Sequence, residues 1–101
     1  MLKLKPEVAI KYELIIIYNS RQNSYETGLD NTKSILNNNG VEILNEKDMG
    51  KKQLAYEVKK NKTGHYVVFE LNILPSKVIE IKKEFKLDHN LLKSMFIKLS
   101  K

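Results

Sequence analysis

Apolar residues recur with period two in four stretches of this chain and with helical spacing in two others, and the order of those periodicities restricts the fold most. Residues 11–18, KYELIIIY, place Tyr12, Leu14, Ile16 and Tyr18 on one face of a strand that Asn19 and Ser20 close. From Ser20 to Asn39, Tyr25, Leu29, Thr32 and Leu36 follow a helical stripe, and Gly40 after three asparagines stops it. Gly28 inside that helix weakens it by roughly 1 kcal/mol relative to alanine. An extended stretch covers 41–60, the KKNKTG of Lys59 to Gly64 reads as a turn, and His65 to Ile73 alternates with Val67, Phe69, Leu71 and Ile73 inward. Pro75 and Ser76 open a second helix with Val78, Ile81 and Phe85 on its stripe, and Lys82, Lys83 and Lys86 suit its C-terminal dipole. A last strand runs over 91–99, with apolar residues on both parities, so that its register stays open.

The order is βαββαβ. With right-handed crossovers it predicts an α+β fold, a four-stranded antiparallel sheet of order 4-1-3-2 with both helices on one face. Strands two and four become edges and the other sheet face is left without helices. Within the second strand the alternation disagrees with itself: Val41 and Ile43 are odd-numbered, whereas Leu54, Tyr56 and Val58 are even-numbered. One inserted residue reconciles them, and Gly50 is the residue best able to take bulge angles. The expectation is a bent strand with Leu54, Tyr56 and Val58 facing the helices together with Val41 and Ile43.

A chain of 101 residues suits one domain, 1–101, with residues 1–8 a loose N-terminal extension ahead of the first strand. It contains no cysteine, which fits a reducing compartment and leaves no thiolate metal site. No apolar run reaches the ~20 residues of a membrane-spanning helix, and Lys3, Lys5, Pro6 and Glu7 interrupt the start, so a soluble intracellular protein is expected. The formal net charge of +6 collects in three places: +2 over 1–11, +3 over 46–62 and +4 over 77–101, while the segments between are acidic. Such a surface attracts phosphates. Catalytic raw material is thin, since His65 begins a strand and His89 lies in a loop beside Asp88, each as an exposed or locally bonded side chain. No phosphate-cradling glycine loop and no paired histidines at metal spacing occur, so neither cofactor nor metal is expected and the chain reads as a binding module.

The stretches KYELIII (11–17), NNG ending at Gly40, GKKQLAYEV (50–58), GHYVVFELNILP (64–75) and DHNLLKSMFIK (88–98) together resemble the bacterial small-subunit ribosomal protein six family over 11–98. The most specific signature, glycine, any residue, a basic and a polar residue, then Leu-Ala-Tyr, is matched by Gly50, Lys52, Gln53, Leu54, Ala55 and Tyr56. Val58 stands where isoleucine is usual, Lys59 replaces a small or polar residue, and eight residues precede the usual start. The resemblance implies a ferredoxin-like fold, no enzymatic activity, and a ribosomal location in the cytoplasm. It further implies assembly into the central domain of the small subunit by binding ribosomal RNA jointly with the eighteenth small-subunit protein.

Two surfaces of the predicted fold agree with that implication. Lys51 and Lys52 beside the bulge, Lys11 on the first strand and Lys93 and Lys98 on the last supply candidate phosphate contacts, although edge lysines also discourage strand-to-strand aggregation. Ile15, Ile17, Tyr66 and Val68 share the helix-free face and form an apolar surface for a protein partner, which Met95 or Ile97 would extend. An RNA-recognition-motif reading, with aromatic side chains stacking on single-stranded bases, finds only Tyr66 as a platform among isoleucines, Val68, Glu13 and Glu70. A ferredoxin-like regulatory domain for small molecules shares the topology, but the basic surface and missing glycine-rich loop argue against it.

Overall fold

The computed structural model describes residues 7–21 and 23–99. Its elements are β1 (Ile10–Asn19), α1 (Ser24–Asn38), β2 (Glu42–Val58), β3 (Asn61–Ile73), α2 (Pro75–Lys86) and β4 (Leu91–Lys98). The strands form one antiparallel sheet in the order β2-β3-β1-β4, which is the expected 4-1-3-2 arrangement. Leu14, Ile16 and Tyr18 of β1 and Val67, Phe69, Leu71 and Ile73 of β3 pack under Ile35 and Leu36 of α1 and Ile81 and Phe85 of α2. Both helices therefore cover one face, held by the even-numbered residues of β1 and the odd-numbered residues of β3.

The ends of α1 and α2 are closed by different chemistry. After α1, the Gly40 N–H donates to the Asn37 carbonyl at 3.1 Å and the Val41 N–H to the Leu36 carbonyl at 3.0 Å, the paired bonds of a Schellman stop. Val41 then enters the core. At the start of α2, where Leu74 offers no side-chain cap, the Glu7 carboxylate accepts from the Ser76 N–H at 2.8 Å and from its hydroxyl at 2.6 Å. Of the expected loose extension, residues 1–6 lie outside the described residues, and Glu7 is tied to a helix.

Gly28 has a reason that helical propensity does not supply. A Cβ there would lie 2.7 Å from Cδ1 of Tyr18, so the bare backbone lets α1 settle onto the Tyr18 ring. The Tyr18 hydroxyl donates to Thr32 Oγ1 at 2.8 Å, and Thr32 donates to the Gly28 carbonyl at 2.8 Å. Both polar groups are buried and satisfied.

Two local expectations are corrected. The hairpin turn is not Lys59 to Gly64 but only Lys59 and Lys60, at φ 49° and 65°, with β3 already begun at Asn61. The Asn61 amide donates to the Lys59 carbonyl at 2.9 Å and Val58 pairs with Asn61, so a two-residue turn with both φ positive replaces the longer loop. The second correction concerns the faces of β2. Its register against β3 shifts three times, between Ile43 and Asn45, between Asp48 and Gly50, and between Gln53 and Val58. Gly50, at φ 80°, does sit at a bulge. The earlier insertion at Leu44 moves the helix-facing positions from odd to even, so that Glu46 opposes Phe69 and Asp48 opposes Val67. The insertion before Gly50 moves them back. Beyond it the even-numbered residues point away from the helices, and Leu54 and Val58 pack with Ile17 and Tyr66 instead of with Val41 and Ile43. Tyr56 faces neither core and is 69% exposed.

Substituting alanine at Gly28 is expected to lower stability by ~1–3 kcal/mol through overpacking against Tyr18, despite the gain in helix propensity. Denaturant midpoints of the two proteins at equal slope measure it, and a stabilised variant would refute the packing account.

Candidate nucleic-acid interface

The helix-free face is built by cross-strand pairing about β1. Ile15 lies opposite Val68 and Met95, Ile17 opposite Tyr66 and Lys93, and Glu13 opposite Glu70 and Ile97. Both Met95 and Ile97 thus extend the face. The open register of β4 is resolved by a bulge: Tyr18 pairs with Leu91 while Ile17 pairs with Lys93, leaving Leu92 as the extra residue. Leu91 enters the core under the helices and Leu92 the opposite side, which accounts for apolar residues on both parities.

This face is only partly open to solvent. Leu54, Leu92 and the half-buried Val58 and Tyr66 close over Ile17, which is 5% exposed. The expectation that Ile17 meets solvent is therefore corrected: the final shift in β2 folds the 54–58 segment over it. Ile15, Tyr66, Val68 and Met95 stay half-buried, and Ile97 is exposed. Beside the small second core lies a cleft of 170 Å³, bordered by Tyr56, Val58, Tyr66, Lys93 and Met95.

The five candidate phosphate-binding lysines do not form one patch. Lys52 opposes Gly64 on the helix-free face and holds its ammonium 5.8 Å from the Tyr66 ring centre. Lys93 flanks the same region, and Lys11 lies further along the face, 3.7 Å from Glu70, where it offsets the like-charge opposition of Glu13 and Glu70. Lys51 opposes His65 and Lys98 opposes Tyr12, positions on the helix-covered side of the sheet. Three of the lysines thus rim the helix-free face and two lie across the sheet from it. With Lys52 over the ring of Tyr66, the aromatic platform that the sequence offers for base stacking is already engaged.

One cluster was not foreseen as a unit. The Tyr25 ring of α1 stacks on the His65 ring of β3, with centroids 3.6 Å apart and planes 6° from parallel, and the Tyr25 hydroxyl donates to Asp48 Oδ2 at 3.1 Å. Asp48 also bonds the His65 ring through Nε2, and its Oδ1 accepts the Gly50 N–H at 2.8 Å. The bond from His65 holds the Asp48 carboxyl below its ordinary value of 3.8, partial burial opposes this, and the bonds from Gly50 and Tyr25 reinforce it. Burial first, then the Asp48 carboxylate, pushes the Tyr25 phenol up to about 12. The cluster pins the bulge that sets which side chains of β2 reach the helix-free face. An aspartate two residues before a glycine was its visible signal.

The geometry defines a class: a basic ferredoxin-like α+β module with one sheet face under helices and the other an apolar strip edged by lysines. A crystal structure of 30S ribosomal protein S6 from Thermotoga maritima superposes with a TM-score of 0.80 at 19% identity, covering 89% of this chain and 87% of that one, and shares the fold. The family model described as ribosomal protein S6 matches residues 11–98. Small ribosomal subunit protein bS6 of Treponema denticola is 40% identical over 87% of this chain and 95% of its own, and that of Treponema pallidum is 31% identical over the same shares. The chain belongs to the ribosomal protein S6 family, whose members are structural, non-enzymatic components of the small ribosomal subunit in the cytoplasm.

Because the folded Asp48 has a depressed pKa, its contribution to stability is present above the ordinary carboxylate range and is lost as pH falls through the folded value. The wild type is accordingly expected to melt above Asp48→Asn at about pH 6, with the gap closing toward about pH 3. Melting curves across that range check it; a gap that widens on acidification would contradict the assigned bonds.

Proposed function

We propose that this chain binds small-subunit ribosomal RNA together with the eighteenth small-subunit protein, which docks on the helix-free sheet face. The observation that carries the reading is the half-buried apolar strip of Ile15, Val68, Tyr66 and Met95, edged by Lys52, Lys93 and Lys11. Apolar strips of this kind, rimmed by polar groups, mark protein interfaces. The charged rim beside it gives phosphates a place to sit when the partner is seated. Lys51 and Lys98 meet the RNA from the other side of the sheet.

Seventeen of the eighteen basic residues are lysines, so phosphates meet mobile point charges and few rigid bidentate forks. That chemistry attracts RNA without reading base identity. Specificity then arises from a composite surface in which both proteins touch one folded RNA. Membership in the S6 family supports the ribosomal half of this reading, and the charge distribution supports the RNA half.

Binding isotherms for the RNA, with and without the partner and across a salt series, test the proposal. Weak binding alone and tight binding with the partner are expected. Neutral substitutions at Lys51, Lys52 and Lys93 are expected to reduce the log-log salt slope by roughly 0.7–0.9 for each phosphate that is no longer neutralised. Partner docking is tested at Val68, since Val68→Lys is expected to weaken association at least roughly tenfold while the domain stays folded. Ile17→Lys is expected instead to unfold or severely destabilise the domain, because the charge enters a closed apolar cluster. Equal, sequence-specific RNA affinity without the partner would overturn the proposal.

A further inference from the structure

A second cationic surface lies away from the strip, where α2, β4 and the β2–β3 turn meet around a cleft of 350 Å³. Its walls are Lys59 from the turn, Lys82 and Lys86 from α2 and Lys93 from β4, and buried Phe85 and Leu91 lie beneath them. All four lysines are exposed, and none takes part in an ion pair among the described residues.

Folding accounts for only part of this gathering of charge. Lys82 and Lys86 stand four apart on one helix, where like charges repel. The helix dipole favours Lys86, which lies in the last turn, but Lys82, expected from the sequence to suit that dipole as well, precedes the turn. Lys59 occupies a left-handed turn position at φ 49°, which asparagine or glycine adopts with less strain. Its ammonium donates to the Leu91 carbonyl at 3.3 Å, so the side chain is drawn from the turn across to the cleft. Three separate elements thus direct to one concavity cations that form no ion pair among the described residues. Concavity with a dry floor suits the backbone of a nucleic-acid strand, which inserts phosphates singly, better than a bilayer surface, which needs a flat or protruding basic face with exposed apolar anchors.

We infer that the α2–β4 cleft is a phosphate-binding site for the ribosomal RNA backbone, with Lys59, Lys82 and Lys86 as phosphate ligands beyond the bulge and strip lysines and Lys93 shared between the two surfaces. The inference rests on the proposed RNA-binding role and extends it to a region that the helix-free face does not include. An RNA strand seated here runs along the β4 edge, so its path is compatible with a partner on the strip.

The test uses the full chain, its partner protein and a transcript of the small-subunit ribosomal RNA, with Lys82→Gln/Lys86→Gln and Lys59→Gln compared with Lys77→Gln, a charge removal on the same helix outside the cleft. The double variant is expected to lose roughly tenfold in affinity at moderate salt and to flatten the salt slope by somewhat under two units, and Lys59→Gln by somewhat under one. Lys77→Gln is expected to stay within about twofold. The double variant is also expected to melt within a few degrees of the wild type, because the repulsion removed and the dipole interaction of Lys86 lost are of similar size; a midpoint lowered well beyond that with unchanged RNA affinity would make the lysines structural and overturn the inference. Unchanged affinity and slope in the cleft variants, with normal binding by the wild type, overturn the cleft alone. Absence of RNA binding by the wild type with its partner overturns the broader reading. Vesicles one-third phosphatidylserine provide the remaining arm: binding that depends on Lys82 and Lys86, with RNA affinity unaffected, would assign the cleft to a membrane surface and overturn the inference.

Discussion

The buried hydroxyl of Tyr18 ties the first helix to the sheet, and the arrangement of the second strand depends on that tie. A phenylalanine there would fill the same space, but the tyrosine donates to Thr32, whose own hydroxyl donates to the Gly28 carbonyl. Burial pushes the phenol well above its ordinary pKa, so it remains a protonated donor. The bond fixes α1 in rotation and height on β1, and the missing side chain at Gly28 permits the approach. From there the order passes outward, because Tyr18 meets the Tyr25 ring edge to face at 5.6 Å, Tyr25 stacks on His65, and both bond Asp48. Asp48 in turn holds the Gly50 N–H. A core contact and an edge bulge are thus linked by four side chains.

The bulge matters because a strand has only two faces. Two insertions in β2, at Leu44 and ahead of Gly50, return the strand to its starting parity but bend it, and the third irregularity lets residues 54–58 turn over the sheet. Leu54 then seals Ile17 and Leu92 into a second core of its own. A four-stranded sheet with helices on one side would otherwise expose a wide apolar face, an aggregation hazard. Here the chain covers part of that face with its own edge strand. What remains is a strip running from Met95 across Ile15 to Val68.

The topology was legible in the sequence because period-two and helical patterns are long and unambiguous in β1, β3 and α2. Parity arguments fail differently: the mismatch between Ile43 and Leu54 signals either one insertion with both residues on one face or two insertions with the residues on opposite faces. Counting cannot separate these, and the second holds. Leu91 and Leu92 posed the same ambiguity in β4, resolved only by pairing with β1. The Lys59–Lys60 turn is hidden because neither residue favours positive φ, and Gly28 is a weakness by helix propensity although its value lies in what it leaves empty. The bond between His65 and Asp48 depends on the bulge and so could not be read ahead of it. The lysines are visible, but which face each occupies depends on the same insertions, so Lys51 and Lys52, adjacent in sequence, lie on opposite faces of the sheet.

That separation gives the family signature a physical sense. The stretch GKKQLAY begins with the residue that resets the parity of β2, and Lys51 to Leu54 take their faces from that reset. Lys52 and Leu54 consequently project to the helix-free side, the first over the Tyr66 ring and the second onto Ile17 and Leu92. Lys51 and Gln53 oppose His65 and Thr63 on the other side. One neighbour of Gly50 thus carries charge to the rim of the strip and another builds the wall that bounds it. At φ 80° a residue other than glycine would strain the bulge by ~1–3 kcal/mol and so weaken the arrangement that holds the two side chains on that face together. The glycine, the lysine and the leucine therefore form a single device, in which a backbone angle decides where a cation and an apolar plug stand relative to the surface proposed for a partner.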